Sequence, residues 1–510
     1  MRRRLFSETG RCLRLPPAVL VMLATLAAIA LLPVPHRAVP VTAPAPSPTL
    51  TEAAVGLDDN CVTLTFDPQH SPQVTAVQTI TMTNRTGRTQ SSLVLRSYTG
   101  AYGSIAASPA AADELFAACY GTVFSSGGLT VDKAAVDGEP TSPSWLDPDA
   151  HTVLILTPAE PWLPGQTRTV TLSWHAVVPE CASRFGLSGG VCALGNLFPA
   201  PALWLGDRWD DTPYLAVGDP FRSDCANWSV TLTMPSGWTA AASAWCCPER
   251  SGEWQVCRYE APAMRDFTLV LSDRWRMAST LEDGVAVTAC GLTQHSADAM
   301  LTYACQALRL YASLWGDYLY PSFTLAETPF PYGGMEYPGL VMIGSSVASA
   351  GDSVLRTTVA HETAHQWWSI MVGSDSVSQP WLDESLAVYA VSRFLTRYAG
   401  SAARDAYAAD RIDETLQTGL PAGLTPGSPL SAFPSSAAYS AAAYRRAAAL
   451  WLALERRMGT EALDRALADV QARFRFRFVS REELCSVLSG HAGLSLSPFF
   501  ADHLDTEAAP

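Results

Sequence analysis

The segment His361-Glu-Thr-Ala-His365 constrains this chain more than any other stretch. Val354 to Met371 reads as one helix, and helical residues four apart project from the same face, one turn apart. Two imidazoles so placed can reach a single Zn²⁺ at about 2.0–2.1 Å. Glu362 stands next to His361 and can point at a water on that metal. Chance is a poor explanation: with nine histidines in 510 residues, the expected count of the pattern is roughly 0.01. Catalytic zinc needs three protein ligands and an open position. Glu384, in Trp381-Leu-Asp-Glu-Ser-Leu-Ala387, is the third candidate, with Asp383 as its nearest competitor. The stretch between His365 and Glu384 is long enough to finish one helix, turn, and start an antiparallel second helix whose carboxylate faces back. The plainer alternatives are a buried helix with two structural histidines and, at Glu384, a charge at a helix start.

The rest of the chain can house such a site. Its 510 residues suit two or three domains, and 48% apolar with 16% charged residues is a folded composition. The formal net charge of -14 lacks the basic footprint of a nucleic-acid binder, so that partner class is set aside. From about 55 to 280 the pattern is β: Val62–Phe66, Gln78–Thr83, Val153–Leu156, Arg168–Trp174, Ser229–Met234 and Phe267–Ser272 alternate or are rich in β-branched residues. After about 290 the period turns helical. Ser296–Leu314 is one helix with Ser296 as N-cap. Leu382–Ala399 stops at Gly400, Ala441–Met458 stops at Gly459, and Ser480 with Glu483 forms a capping box. The expected architecture is α+β and multidomain: residues 1–50 as leader and spacer, a β-rich sandwich or extended twisted sheet over 51–280, and a mostly helical domain over 281–510.

The leader is informative. Arg2, Arg3, Arg4, Arg11 and Arg14 precede an uncharged stretch from Leu15 to Pro35. As a helix that stretch would be roughly 31 Å long, one membrane crossing. Its proline-free part, Ala18 to Leu32, also fits the apolar region of a secretory signal. An uncleaved anchor and a cleaved signal therefore both stand, and each exports the body. The prolines of residues 33–48 read as an extended spacer. Eleven cysteines follow this segment, most of them between Cys61 and Cys305. Export permits disulfides, whose pairing spacing does not reveal. Asn84-Arg-Thr86 and Asn227-Trp-Ser229 match the glycosylation pattern.

Several segments resemble the M1 aminopeptidases, the gluzincins related to aminopeptidase N and leukotriene A4 hydrolase. His361-Glu-Thr-Ala-His-Gln-Trp-Trp368 followed by Trp381-Leu-Asp-Glu-Ser385 is similar to that family's zinc motif. Gly333-Gly-Met-Glu-Tyr337 resembles its Gly-x-Met-Glu-Asn exopeptidase motif, and Ala438–Tyr444 the segment of its catalytic tyrosine. Gly195–Pro199, Gly218-Asp-Pro-Phe221 and Arg265-Asp-Phe267 resemble its β domain. The resemblance implies a saddle-like β domain before a thermolysin-like catalytic domain, and one zinc ion. It implies Glu362 as general base and Tyr444 (with Tyr439 as substitute) as oxyanion donor. Glu336 would bind the substrate's free α-amino group, with Gly333, Gly334 and Met335 also at the substrate. The substrates would be peptides with a free N-terminus. Two departures stand out. Tyr337 replaces the usual Asn, which would alter contacts near the scissile bond, and Ser385 replaces a common Gly. Other readings are another hydrolysis at the same zinc, endopeptidase or epoxide hydrolase, and a non-catalytic M1-like scaffold.

Overall fold

The computed structural model describes residues 42–68, 73–110, 115–413 and 419–507. The apolar leader Leu15–Pro35, most of the proline-rich spacer and His70 lie outside these residues. Among the described residues no helix is long and apolar enough to cross a membrane.

Four of the outlined strands of the first half are longer than the sequence indicates, Val153–Leu156 is as outlined, and Phe267–Ser272 is shortened to Leu269–Ser272. Asp58–Asp67, Gln73–Thr83, Thr167–Val177 and Ala226–Pro235 belong to an eight-stranded sheet. Alternation decides its faces: Val62, Leu64 and Phe66 are buried, while Cys61 and Thr63 between them face out. Asp58–Asp67 pairs antiparallel with Gln73–Thr83 and parallel with Ala226–Pro235. Two four-stranded sheets share its core, contributing Leu93, Leu95, Leu154 and Leu156 from one and Phe185, Leu194, Leu269 and Leu271 from the other. Both sequon amides are engaged inside this region. Asn84 Nδ2 donates to Arg88 O and Trp162 O at 2.9 and 2.8 Å, and Asn227 Nδ2 to Ala54 O and Asp59 Oδ1, both at 3.0 Å. A glycan at either site would take one of the two amide hydrogens and so break one of these bonds.

A five-stranded sheet opens the second half, in the order Arg276–Glu282, Val285–Gly291, Ser322–Thr328, Leu340–Gly344, Gly334–Tyr337. The middle three strands are parallel, and helix α1 (Gln294–Trp315) makes the crossover between two of them. Thr293, not Ser296, is the N-cap of α1; Ser296 is the third helical residue of a reciprocal capping box. The edge strand Gly334–Tyr337 runs antiparallel to its neighbour. α2 (Asp352–Ala364) packs against this sheet, α3 (Trp381–Tyr398) against α2, and α4 (Ala447–Met458) against α3. The Ser480–Glu483 capping box forms as the sequence indicates.

Two helices differ from their sequence outlines. α2 ends at Ala364, not Met371. Trp367 and Trp368 are fully buried, and the chain leaves the helix through wide five-residue hydrogen bonds, Ile370 N to His365 O and Met371 N to Gln366 O, each 3.1 Å. The outlined helix Ala441–Met458 divides into a π-helical stretch, Ser440–Arg446, which carries Tyr444, and α4 proper from Ala447. Such bulges concentrate at functional sites.

Candidate active site

The two histidines still meet although α2 ends between them. His365 is the C-cap of α2 and keeps right-handed helical dihedrals, φ -60° and ψ -20°. Its ring therefore stays on the face of His361. The two Nε2 atoms are 3.2 Å apart. Glu384 Oε2, from the first turn of α3, lies 3.3 Å from His361 Nε2 and 3.4 Å from His365 Nε2. His365 Nδ1 lies 3.1 Å from the Trp368 carbonyl, the partner that puts the proton on Nδ1 and leaves Nε2 as a lone pair.

These three atoms test whether the site suits zinc. Ligand bonds of about 2.0–2.1 Å in a tetrahedron place the ligand atoms about 3.3–3.4 Å apart, and the observed edges are 3.2, 3.3 and 3.4 Å. Glu384 Oε2 is buried and has no assigned hydrogen-bond partner, an orphaned acceptor facing the two nitrogens. The donor set and its spacing fit zinc. Asp383, the competing ligand, lines instead an adjoining cavity of about 80 Å³ and accepts a hydrogen bond from Glu384 N at 3.0 Å.

Glu362 is 5% exposed. Burial pushes its carboxyl up to about 8, aided by the charges of Glu384 and Asp219 and opposed by His365. It approaches the edge strand so closely that a Cβ on Gly334 would collide with its carboxylate. Glu384 is held down at about 2. Burial alone would raise it, and the two histidines outweigh that. Tyr444 donates its hydroxyl to Glu384 Oε1 at 2.7 Å and stacks on His361, ring centroids 5.8 Å apart. Tyr439 is a buried edge-on support for the Tyr444 ring, centroids 5.3 Å apart.

Strand alternation sorts the Gly333–Tyr337 segment. Glu336 faces the cleft, where its carboxylate, that of Glu362 and a His365 nitrogen all lie within 4.8 Å of one another. Burial raises the Glu336 carboxyl well above its usual range. Met335 and Tyr337 point the other way. Met335 is buried with its sulfur 3.1 Å from Arg184 Nε. Tyr337 is 2% exposed and donates to Asn196 Oδ1 at 3.3 Å, where Gly195 leaves room for its hydroxyl. The replacement of Asn by Tyr337 thus makes a core contact, not the altered substrate contact expected from the motif. Ser385, the second departure, is also internal and accepts from Trp451 Nε1 at 2.7 Å.

Two residues of the site carry no sequence signature of a role. Asp219 forms an ion pair with Arg184, and one oxygen each of Asp219, Glu336 and Glu384 lie within 4.8 Å of one another. The only available signal was Gly218-Asp-Pro-Phe221, noted as a resemblance. Gly218 is required there: its φ is +69°, and a Cβ would press on Leu430 and Tyr439.

Two histidines one turn apart, a glutamate from the following helix and a second glutamate beside the pair define a gluzincin-type zinc hydrolase site. Residues 302–503 match the Peptidase family M1 domain. Curated relatives include leukotriene A-4 hydrolase of Xenopus laevis, 36% identical over 95 residues, which are 18% of this chain and 15% of that protein. Aminopeptidase B of Rattus norvegicus is 34% identical over 91 residues, 18% of this chain and 14% of that protein. The chain thus aligns with less than a fifth of either. The M1 zinc metallopeptidase of Deinococcus radiodurans superposes with a TM-score of 0.63 at 17% identity, covering 89% of this chain and 93% of that one. A mutant of it bound to a Tyr-Ser-Ala substrate gives 0.63 at 18%, covering 89% and 94%. These likenesses show the fold: β sheets followed by a helical peptidase region.

Proposed function

We propose that this protein is a zinc aminopeptidase that removes N-terminal residues from peptides. The observation that carries this reading is Glu336, a cleft-facing carboxylate next to Glu362 and His365. Hydrolysis does not need it, whereas an exopeptidase needs a fixed partner for the free ammonium.

His361, His365 and Glu384 would hold one zinc ion. Zinc at such a site polarises the scissile carbonyl and makes water acidic enough to attack at neutral pH. Glu362 takes the proton of the attacking water and returns it to the leaving amine, and a carboxyl poised near neutrality suits both transfers. Tyr444 turns its hydroxyl from Glu384 to the carbonyl oxygen as charge develops there. Glu336 holds the ammonium and so sets the cut one residue from the chain end. Gly333 and Gly334 keep the edge strand clear for substrate and for Glu362. The relative named aminopeptidase B and the neighbour bound to Tyr-Ser-Ala support peptides as the substrate class. The basic flank and apolar leader support an exported body tethered by its N-terminus.

Matched free and N-acetylated peptides test the reading. Zinc-loaded wild type should cut free peptides and leave blocked ones. Equal cleavage of both would replace it with an endopeptidase.

A further inference from the structure

Charge along the cleft is uneven. Glu336 stands within 4.8 Å of a His365 nitrogen, and Asp219 near it is paired with Arg184. Arg411, Arg445 and Tyr407 line the same cleft, and Tyr444, the neighbour of Arg445, stacks on the His361 ring. Arg445 follows the proposed oxyanion donor directly in the π-helical stretch. Among the described residues Arg445 makes no ion pair, and Arg411 meets only its neighbour Asp410 at 3.4 Å, both well exposed, a contact of little energy. This cleft is a cavity of about 390 Å³, a size that encloses a small ligand.

Substrate chemistry gives this polarity a meaning. A peptide whose ammonium sits at Glu336 runs over the zinc ligands towards the arginines. If the peptide is short, its next charge is the C-terminal carboxylate, and arginine offers a carboxylate two parallel N–H donors. We infer that Arg411 and Arg445 form a subsite for a carboxylate of the substrate, the free C-terminus of a short peptide. This deepens the aminopeptidase reading and rests on it: the preferred substrates are peptides short enough to engage both ends of the cleft at once.

The test uses zinc-loaded full-length enzyme and three tripeptides: one with a free C-terminus, its C-terminal amide, and an amide with Glu at the second position. An alanyl anilide serves as a fourth substrate. Wild type should prefer the free acid over its amide by about 10- to 100-fold in kcat/KM, the range for a charge-assisted pair. In Arg445→Met, which keeps the alkyl stem, and in Arg411→Met, that ratio should fall towards one. Equal cleavage of acid and amide by wild type overturns the inference, and this comparison needs no variant. A preference for the Glu-bearing amide that matches the free acid overturns the chain-end assignment and gives the subsite to acidic side chains. If the anilide and every peptide remain uncut, the aminopeptidase reading itself has failed.

A different observation carries a second inference. Cys119 and Cys181 share a small buried cluster with Ala110 and Tyr120, and Ala182 N donates to Cys119 O at 2.8 Å. The two thiols are within hydrogen-bonding reach, as are those of Cys246 and Cys257 beside Tyr259. We infer that each pair closes to a disulfide in the exported protein. Two thiols become one S–S bond, two protons are released, and two electrons pass to a disulfide oxidant that leaves as a dithiol. Alkylation of the denatured, unreduced protein followed by peptide mass mapping decides it. Linked peptides joining 119 to 181 and 246 to 257 are expected, with a melting temperature that falls a few degrees on reduction. Alkylated thiols at all four positions overturn it.

Discussion

A Cβ on Gly334 would enter the space of the Glu362 carboxylate. Gly334→Ala should therefore push the base aside, retaining zinc while lowering kcat by about 10- to 100-fold, part of the contribution of a general base. Glu362→Gln removes the base without removing its volume. It should keep fold and metal and lose at least about 10²-fold in rate, and near-normal turnover of the metal-loaded variant would exclude Glu362 as the base. A third residue speaks through pH. Burial holds the Asp266 carboxyl up to about 7, against the hydrogen bonds it accepts from Phe267 N and Asn196 Nδ2. An unfolded Asp ionises near 3.9, so the fold retains this proton after the unfolded chain has lost it. The stability contribution of protonated Asp266 is whole below about pH 4 and is lost as pH rises to about 7. Asp266→Asn cannot ionise and should flatten that part of the decline in melting temperature, and an unchanged slope would refute the assignment.

Elements place these residues. α3 brings Glu384 to the histidines, and its neighbour Ser385 anchors α3 to α4 through the 2.7 Å bond from Trp451 Nε1. Both partners are fully buried. The substitution Ser385→Gly, which restores the family's common residue, would leave the indole N–H unpaired and should cost about 1–3 kcal/mol in a urea titration. An effect near zero would mean that the bond is dispensable. The π-helical stretch before α4 has a comparable office: it carries the ring of Tyr444 over His361. Arg393 and Arg404, paired with Asp464 and Glu455, tie α3 and the short helix after it to the C-terminal helices.

Across the whole molecule, the two halves meet around the cleft. Arg265, from the β half, donates to Ile370 O, Ser223 O and Arg477 O at 2.9, 2.9 and 3.0 Å. Arg222 joins Asp210 in its own half to Asp375 between α2 and α3. Metal should stabilise this assembly as any ligand of the folded state does. Free zinc at a hundred times its dissociation constant adds about 2.7 kcal/mol, so chelation should lower the melting temperature and zinc should restore it. A melting curve indifferent to chelation would show that the site is not a tight metal centre. Protease added to intact cells should reach the body if the leader exports it, and a body protected inside the cytoplasm would refute the proposed topology.

What the sequence determined by itself was local. The histidine pair follows from a four-residue repeat, the Ser480–Glu483 box from a three-residue one, and the strand faces from alternation along each strand. These follow from backbone geometry within a turn or a strand. Tertiary structure decided between neighbours that local geometry leaves equivalent. Glu384 turned to the two histidines and Asp383 to the adjoining cavity, as the packing of α3 on α2 orients them. Tyr337 went inward because Gly195 and Asn196, far away in sequence, receive its hydroxyl. Asp219 reached the site from a loop and the two cleft arginines from π-helical stretches, none with a repeating pattern. Their place depends on long-range packing, which a residue's near neighbours do not encode.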